Sequence, residues 1–314
     1  MKHIVIAGPT ASGKTELALA LARKLNTEII SADSRQVFRA LTVGTAKPQG
    51  HWQDGKYRVE GVPYHLVDFL DPTESFDVSS FCACSQKLTD GAPNKPFIFA
   101  GGTGMYIHAH FVGLDPLPPS DPVLRAELTA FAEKNGKEAL HERLAQLDPV
   151  SANQIPVGNI QRVMRAVEIS LLSGQAASSL KSGNFFGQFP AEKALLVYLN
   201  WDKELLNKRI EQRTQAMLTP MAEETRALLS SGASENCNGL KSLGYPQILQ
   251  WLKGEKSKEE TLEKIITLTR QYAKRQRTWF NRYKNALCVD LCTAQDFDVE
   301  KIIDRILNHL DLTI

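Results

Sequence analysis

Apolar residues in the first hundred positions cluster in short runs that are separated by longer helical patterns. Short apolar runs between helix-length segments are typical of the buried parallel strands of an α/β fold. The segment after the first run carries Leu17, Leu21 and Leu25 at helical spacing, which predicts a helix packed on a sheet. We predict strands at 3–7, 28–32, 64–68 and 96–100.

A proline-rich segment at 114–122 breaks this alternation. Its four prolines exclude a helix interior and a central strand, so we expect a domain boundary there. The patterns that follow are helical, and the next apolar run, 194–199, predicts a return of the chain to the sheet. We therefore expect an inserted all-helical domain at 116–190. Its predicted helices are 123–135, 136–147 and 159–173.

The remaining residues, 1–115 and 191–314, are then expected to form one core. Its C-terminal part shows further helical patterns. The expected fold class is α/β, a parallel sheet flanked by helices with an inserted all-helical domain. The predicted C-terminal helices are 203–218, 222–230, 244–251 and 258–283.

Composition narrows the class of protein. The chain is 43% hydrophobic and 23% charged with a net charge of only +2, as in ordinary globular proteins. Its five cysteines lack zinc-binding spacing, and no apolar run is long enough to span a bilayer. The N-terminus has no secretory pattern. We expect a cytoplasmic protein with reduced cysteines and no membrane association. Nothing in the sequence requires an oligomer, so we expect a monomer.

Residues 8–15, called loop 8–15 below, match the phosphate-binding P-loop pattern G-x-x-x-x-G-K-[ST]. They lie between the first predicted strand and the first predicted helix, which is the context that this motif requires. Backbone N–H groups of such a loop and the positive end of the helix attract phosphate. Lys14 is placed to reach the outer phosphate, and the Thr15 hydroxyl to bind Mg²⁺. The candidate di- or triphosphate site consists of Gly8, Thr10, Ala11, Ser12, Gly13, Lys14 and Thr15.

A carboxylate and a second glycine turn follow two other predicted strands. Asp33 comes after strand 28–32, and Gly101-Gly102-Thr103-Gly104 follows strand 96–100. Ligands of open α/β sheets lie beyond the carboxyl ends of the strands, so both should lie near loop 8–15. Asp33 could accept a proton, hold Mg²⁺ through water or cap a turn, and position alone does not decide among these. Strand 96–100 does not end in the acid of a Walker B motif, which disfavours an NTP-hydrolysing motor.

An asymmetric charge pattern lies near the C-terminus. Residues 270–284 contain six basic and no acidic side chains, with four aromatic residues among them. Such a stretch favours a polyanion-binding surface, although a solvated basic helix is the alternative. Two arginine pairs, Arg209 with Arg213 and Arg162 with Arg165, share helix faces. Their guanidinium groups suit phosphate, but ordinary surface positions are equally compatible with the spacing.

Taken together, these segments resemble the tRNA dimethylallyltransferase family, also called tRNA isopentenyltransferases. The resemblance extends over nearly the whole chain, and it rests on loop 8–15 together with more specific stretches. These stretches are Ser31-Ala32-Asp33-Ser34-Arg35-Gln36-Val37, Gly44-Thr45-Ala46-Lys47-Pro48, Gly61-Val62-Pro63-Tyr64-His65-Leu66-Val67-Asp68, Gly101-Gly102-Thr103-Gly104-Met105-Tyr106, Asn159 and Arg162 with Arg165-Ala166-Val167-Glu168, Gly244-Tyr245, and Arg270-Gln271-Tyr272-Ala273-Lys274-Arg275-Gln276-Arg277-Thr278-Trp279-Phe280.

The resemblance implies transfer of a dimethylallyl group from dimethylallyl pyrophosphate to the N6 amine of the adenosine on the 3′ side of the tRNA anticodon. It implies Asp33 as the base, with Thr103 nearby. It also implies a pyrophosphate site made of loop 8–15 with its catalytic Lys14, of Arg213 and of Arg209, with Mg²⁺ at Thr15. The residues implied to contact the tRNA anticodon stem-loop are Asp33, Ser34, Arg35, Gln36, Thr103, Arg125, Gln161, Arg162, Arg165, Gly244, Tyr245, Lys274, Arg275, Gln276, Arg277, Trp279 and Arg282.

The sequence departs from the family pattern at three places. Phe38 stands where Tyr is common, Thr219-Pro220-Met221-Ala222 replaces a Gly-Leu-type turn, and Pro246 stands where a basic residue is usual. None of these removes a catalytic group implied by the resemblance. Two other functions stay open on the residues alone. One is a small-molecule or nucleotide kinase that uses loop 8–15 on ATP, and the other is an RNA-binding module in which the loop only holds a stabilising anion.

Overall fold

The computed structural model describes residues 2–181 and 188–310. It divides into two compact units, one formed by residues 1–112 with 187–314 and the other by residues 113–186. The first unit is called the core unit below and the second the helical unit. The predicted insertion, 116–190, covers most of the helical unit.

The core unit is built on one eight-stranded sheet in the described residues, with the order β3-β4-β5-β2-β6-β1-β7-β8. The strands are β1 (His3–Ala7), β2 (Glu28–Ser31), β3 (His51–Gln53), β4 (Lys56–Val59), β5 (Val62–His65), β6 (Phe97–Gly101), β7 (Ala194–Trp201) and β8 (Leu287–Leu291). The described helices of both units are α1 (Lys14–Lys24), α2 (Val78–Asp90), α3 (Gly104–Phe111), α4 (Pro122–Leu147), α5 (Pro149–Gln154), α6 (Ile160–Ser173), α7 (Lys203–Ser230), α8 (Tyr245–Leu252), α9 (Lys258–Phe280) and α10 (Val299–His309).

The strands from β5 to β8 in this order run parallel, and β1 lies at their centre. Val5 of β1 pairs with Phe99 of β6 on one side and with Leu196 of β7 on the other. All three side chains are buried, as expected for parallel strands covered by helices on both faces. The carboxyl ends of β1, β2 and β6 therefore meet at one edge of the sheet, where loop 8–15 begins. The parallel α/β fold with helical additions confirms the predicted fold class.

Some elements were not predicted. Strands β3 and β4 form an antiparallel hairpin at the sheet edge, and their turn is Asp54-Gly55 with positive φ at both residues. Asp-Gly between two short strands is a readable hairpin pattern, so sequence analysis could have found it. Strand β8 and helix α10 were also missed. The third predicted strand, 64–68, is displaced by two to three residues, because β5 spans Val62–His65.

Helix α7 corrects one prediction. Two helices were expected, at 203–218 and 222–230, because proline removes a helical N–H and usually interrupts a helix. The structure instead has one helix that continues through Pro220. Leu218, Met221 and Ala222 are buried in one apolar cluster with residues of α8 and α9, and this burial keeps the segment helical despite the missing hydrogen bond.

The helical unit contains α4, α5 and α6. They pack around an apolar cluster that includes Leu128, Leu140, Leu144 and Val167. Helix α4 is broken at Gly136, whose φ of 87° and ψ of 163° are not helical. The two helices predicted at 123–135 and 136–147 thus correspond to the two halves of α4.

Candidate active site

Loop 8–15 joins β1 to α1 and adopts left-handed backbone at two positions. Ala11 has φ of 65° and Gly13 has φ of 88°. Alternating left-handed residues turn successive N–H groups inward, and the first turn of α1 adds N–H groups that have no partner within the helix. Gly13 is required here, since a Cβ at this position would lie 2.3 Å from Cζ of Phe297. The geometry is that of an anion-binding loop.

Side chains from β7 and α7 hold loop 8–15 in place. Trp201 donates its indole N–H to the carbonyl oxygen of Ser12 at 3.0 Å. Arg209 of α7 donates Nε–H to the carbonyl oxygen of Ala11 at 2.9 Å and stacks on the Trp201 ring, 4.4 Å from its centroid. Arg209 therefore supports loop 8–15 from outside, by bonding to the backbone of the loop.

Lys14 folds back over the loop. Its Nζ donates to the carbonyl oxygen of Pro9 at 2.7 Å and lies 3.4 Å from Oγ of Ser12. Burial lowers the pKa of Lys14 to about 7; the positive charge of Arg213 acts in the same direction, and Asp33 opposes the change. An anion bound in the loop would stabilise the charged form of Lys14, and the charged lysine would in turn strengthen binding of the anion.

Arg213, one turn after Arg209 on α7, lines both cavities beside the loop. Its Nη2 donates to Oγ1 of Thr10 at 2.5 Å. Its Nε is buried and has no hydrogen-bond partner among the described residues. Burial, and then the nearby Arg209, lower the pKa of Arg213 to about 10, so the guanidinium is still charged near neutral pH. A buried unpaired N–H on a cation indicates that an external anion completes this site.

Asp33 follows β2, as expected, and its carboxylate does two things. Its Oδ1 accepts hydrogen bonds from the backbone N–H groups of Arg35 at 2.8 Å and Gln36 at 3.3 Å. This is the turn-capping contact that the sequence left open. The side chain also lines two adjoining cavities. Asp33 therefore caps the turn and also lines both cavities.

Thr103 brings the second glycine turn to the same place. Its Oγ1 accepts a hydrogen bond from the backbone N–H of Ser34 at 3.1 Å, next to Asp33. Tyr272 of α9 reaches Thr103 with its hydroxyl, and burial raises the pKa of that phenol. The turn is tightly packed, because a Cβ at Gly101 would lie 2.1 Å from the carbonyl oxygen of Ala32.

The two cavities meet at Asp33. The first, of about 580 Å³, contains loop 8–15, Arg213 and Tyr272. The second, of about 370 Å³, opens beside it and is partly apolar. Residues that line both are Thr10, Asp33, Thr45, Ala46, Arg213 and Tyr272. The second cavity alone is lined by Ser34, Arg35, Gly44, Thr214, Met217, Met221, Lys241, Ser242, Leu243, Ile265, Thr269 and Arg275.

Several of the side chains implied to contact RNA lie on the outer surface of the core unit. Lys274 and Arg275 near the C-terminal end of α9 are exposed, as are Arg282, just after the helix, and Arg35. The partly exposed members of the implied set in this unit are Asp33, Ser34, Thr103, Arg277 and Trp279. Their contact with RNA remains a prediction.

Four other residues of that set are buried, and their contact with RNA remains a prediction. The Gln36 amide donates to the carbonyl oxygens of Thr45 and Ala46. The Gln276 amide bonds to loop 8–15, as described below. Tyr245 has no exposed surface and donates its hydroxyl to Glu224. Gly244 is enclosed beside Met221. These residues shape the loops of the site from within.

The arginines of the helical unit serve partly to neutralise a buried carboxylate. Glu168 is fully buried and accepts hydrogen bonds from Arg125 and Arg165. Arg165 also donates to the carbonyl oxygen of Pro118. Gln161 and Arg162 are exposed. RNA contact by these four residues remains a prediction.

Sequence analysis missed the residue that shapes loop 41–46. Glu224 of α7 accepts hydrogen bonds from the backbone N–H groups of Thr42, Val43 and Gly44. Loop 41–46 supplies Thr45 and Ala46 to both cavities. No local pattern marks Glu224, which follows another glutamate on a helix; only the tertiary contact identifies it.

The site offers little protein ligation for a metal. No group of three or more His, Cys, Asp or Glu side chains in the described parts of the chain is placed to bind an ion. The Thr15 hydroxyl lies in the first cavity, within reach of the buried Tyr64 hydroxyl. This donor set fits Mg²⁺ held mainly by ligand phosphates and water, which is how Mg²⁺ commonly binds beside phosphates.

Comparison with known proteins decides the family. A profile described as IPP transferase matches residues 36–283, and one described as isopentenyl transferase matches residues 1–59. The chain belongs to the IPP transferase family. It is 51% identical to the tRNA dimethylallyltransferase of Elusimicrobium minutum, over 91% of this chain and 94% of the relative. It is 37% identical to tRNA dimethylallyltransferase 1 of Syntrophotalea carbinolica, over 97% and 95% of the two chains.

Solved structures agree with this assignment. The tRNA isopentenylpyrophosphate transferase of Bacillus halodurans is 33% identical, with a TM-score of 0.68 over 99% of this chain and 95% of that one. The corresponding enzyme of Staphylococcus epidermidis is 30% identical, with a TM-score of 0.66 over 99% of both chains. A eukaryotic dimethylallyltransferase acting on tRNA shares the fold at 23% identity, with a TM-score of 0.74 over 100% of this chain and 80% of that chain. The first two likenesses confirm the family that the sequence motifs implied, and the third shows the fold alone. Separately, no helix in the described residues is long and apolar enough to cross a bilayer.

Proposed function

We propose that this IPP transferase moves a dimethylallyl group from dimethylallyl pyrophosphate to the N6 amine of the adenosine on the 3′ side of the anticodon in tRNA. The observation that carries this proposal is the position of Asp33 on the wall shared by two cavities. One cavity has the anion loop and the other has the basic residues next to the exposed face of α9. A donor diphosphate and an acceptor base can therefore approach one carboxylate from two sides.

The diphosphate occupies loop 8–15. Its oxygens accept hydrogen bonds from the loop N–H groups and from Nε of Arg213, which has no protein partner in the described residues. Lys14 adds a charge that the bound anion stabilises. Mg²⁺, held by the Thr15 hydroxyl and the diphosphate, would neutralise part of the charge on the leaving group. Such fixed charges stabilise the diphosphate as its bond to carbon breaks.

The acceptor base enters from the second cavity. The target adenosine leaves its stack, which costs a few kcal/mol and less in a flexible loop. The bond between the donor C1 and the diphosphate oxygen breaks, and the bond between N6 and C1 forms. One N6 proton passes to the Asp33 carboxylate, and pyrophosphate remains in loop 8–15. Thr103, hydrogen-bonded beside Asp33, orients this edge of the site. We further propose that the enzyme acts as a monomer.

Substitution of Asp33 tests the mechanism sharply. Asp33→Asn keeps an oxygen that can accept the N–H groups of Arg35 and Gln36, so the turn is preserved, but it removes the base. We expect the transfer rate to fall by roughly 10²–10⁴, with binding of tRNA and of pyrophosphate nearly unchanged. Asp33→Ala should lose a comparable rate and some stability as well. A rate within a few-fold of wild type in Asp33→Asn would leave Asp33 as a cap only.

The activity itself is tested with purified protein, labelled dimethylallyl pyrophosphate and tRNA that lacks the modification. Label in RNA, located at the adenosine next to the anticodon, supports the proposal. A parallel reaction supplies ATP in place of the donor. Release of ADP with unmodified RNA would indicate a kinase instead, and tRNA binding without either reaction would indicate an RNA-binding module.

A further inference from the structure

Helix α9 presents different side chains on its two faces. Lys274 and Arg275 are exposed and belong to the proposed RNA surface. Tyr272 and Gln276 lie one helical turn apart and line the first cavity, where the diphosphate is proposed to bind. One helix therefore adjoins both substrates of the proposed reaction.

Gln276 connects α9 to two loops of the site. Its Oε1 accepts the backbone N–H of Thr10 at 2.8 Å, and its Nε2 donates to the carbonyl oxygen of Gly102 at 3.0 Å. The side chain is only 5% exposed. A Cβ at Gly102 would lie 2.0 Å from Nε2, so the amide approaches the backbone of the glycine turn without room for a larger residue. Both polar groups of the amide are thus used inside the protein.

Thr10 extends this connection to the anion site. Its N–H bonds to Gln276, and its Oγ1 accepts a hydrogen bond from Arg213. Nε of Arg213 is buried with no partner in the described residues. The placement of this guanidinium relative to loop 8–15 therefore depends on Thr10, and the placement of Thr10 depends on Gln276. Loss of the amide would remove the acceptor of the Thr10 N–H and the side-chain link between loop 8–15 and the glycine turn.

We propose that Gln276 is a positioning residue that couples RNA binding on α9 to diphosphate binding in loop 8–15. RNA bound to Lys274 and Arg275 fixes the helix, and the Gln276 amide passes that constraint to Thr10 and Gly102. By thermodynamic reciprocity, tRNA and diphosphate then strengthen each other's binding by the same factor. This inference rests on the proposed function, because it takes tRNA and a diphosphate as the two ligands.

The test compares Gln276→Ala with Gln271→Ala on full-length protein. Gln271 is an exposed glutamine on the same helix and serves as the matched control. The affinity of inorganic pyrophosphate is measured with and without unmodified tRNA. We expect tRNA to tighten pyrophosphate binding several-fold in the wild type and in Gln271→Ala. In Gln276→Ala we expect pyrophosphate binding about tenfold weaker, as for loss of one hydrogen bond that orders the site, and no effect of tRNA.

Further readouts separate positioning from folding. In Gln276→Ala the KM for the donor should rise, while the affinity for tRNA measured without donor, the salt dependence of that affinity and the thermal unfolding midpoint stay near wild type. An equal effect of tRNA on pyrophosphate binding in Gln276→Ala and wild type would overturn the proposal, as would no effect of tRNA in the wild type. The pyrophosphate-binding measurements need no turnover. Failure of the proposed function appears separately, as absence of labelled RNA in the wild-type transfer assay.

Discussion

Two loops of the core unit both gather backbone N–H groups around one point, and they differ in what fills that point. In loop 41–46 three successive N–H groups hold the carboxylate of Glu224, and the Tyr245 hydroxyl donates to the same group. Loop 8–15 contains Lys14 and is contacted by Arg213 of α7, and neither side chain forms an ion pair with a carboxylate in the described residues. The first loop is completed by the protein itself, whereas the second is left for a ligand.

The difference shows that a concave run of N–H groups is not by itself a binding site. Such a run always requires a negative partner, because buried N–H groups without acceptors are costly. When a side chain of the protein supplies the acceptor, the result is a rigid wall, here the wall formed by Thr45 and Ala46. When cationic side chains lie beside the N–H groups and the protein supplies no acceptor, as in loop 8–15, the loop has affinity for an external anion.

Loop 41–46 is the filled loop of this comparison, because the Glu224 carboxylate occupies it. Removal of that carboxylate should produce the largest effect on stability. Glu224→Ala leaves three partly buried N–H groups without their acceptor. At about 1 kcal/mol for each group, the lower end of the cost of an unsatisfied group, we expect a loss of up to ~3 kcal/mol. Glu224→Gln keeps one oxygen and should lose less. The measurement is denaturant unfolding, with the exposed neighbour in Glu223→Ala as the matched control.

A refinement of that experiment converts the filled loop into an open one. Formate added to Glu224→Ala can occupy the vacated position, so it should raise the unfolding midpoint of this variant and leave the wild type unchanged. If Glu224→Ala were as stable as Glu223→Ala, the carboxylate would not be what holds loop 41–46, and the comparison of the two loops would fail.

Loop 8–15 is the open loop of this comparison, since no carboxylate of the protein fills it. A substitution beside it should weaken anion binding and leave the stability of the protein nearly unchanged. Arg213→Lys keeps a positive charge but loses the planar group whose Nη2 and Nε face Thr10 and the cavity. We expect pyrophosphate affinity to fall by about 10–100-fold, the range for hydrogen bonds that involve charged groups. Calorimetric titration measures it. Arg226→Lys, an exposed position on the same helix, should bind like wild type.

These two substitutions also show what sequence could and could not establish. The parallel sheet, loop 8–15 and Asp33 were predictable because short-range patterns determine them: apolar runs, a glycine-rich motif and a residue at a strand end. The contacts of Glu224 were not, because its partners lie about 180 positions away in the chain. Arginine pairs teach the same lesson. Arg209 with Arg213 and Arg162 with Arg165 look alike in sequence, yet Arg165 is bound to buried Glu168 while Arg213 faces a cavity.

The pH dependence of pyrophosphate binding should sharpen the comparison further. Burial lowers the pKa of Lys14 to about 7, and a bound anion raises it. Between pH 7 and the higher pKa of the liganded state, binding takes up one proton at Lys14. The contribution of this lysine to affinity should therefore be fully present below pH 7 and fall by up to about tenfold per unit above it.

The control for this experiment is Lys14→Arg, whose side chain stays charged throughout. Pyrophosphate itself titrates in the same range, but equally for both proteins, so the ratio of their affinities isolates Lys14. We expect the wild type to lose affinity relative to Lys14→Arg as the pH rises. A constant ratio from pH 6 to about 9 would mean that Lys14 stays charged in the unliganded protein and that the open loop carries a full positive charge.

The smallest expected effect concerns the exposed face of α9, where the open loop adjoins the proposed RNA surface. Lys274→Ala should weaken tRNA binding a few-fold and reduce the slope of log K against log salt by about 1, as for loss of one phosphate contact. Lys264→Ala removes an exposed lysine earlier on the same helix and should leave the slope unchanged. Fluorescence titrations at four or more salt concentrations measure both slopes. Equal slopes in the two variants would move the RNA surface away from the C-terminal end of α9, and the open loop would then lack an RNA-binding face on the helix that holds it.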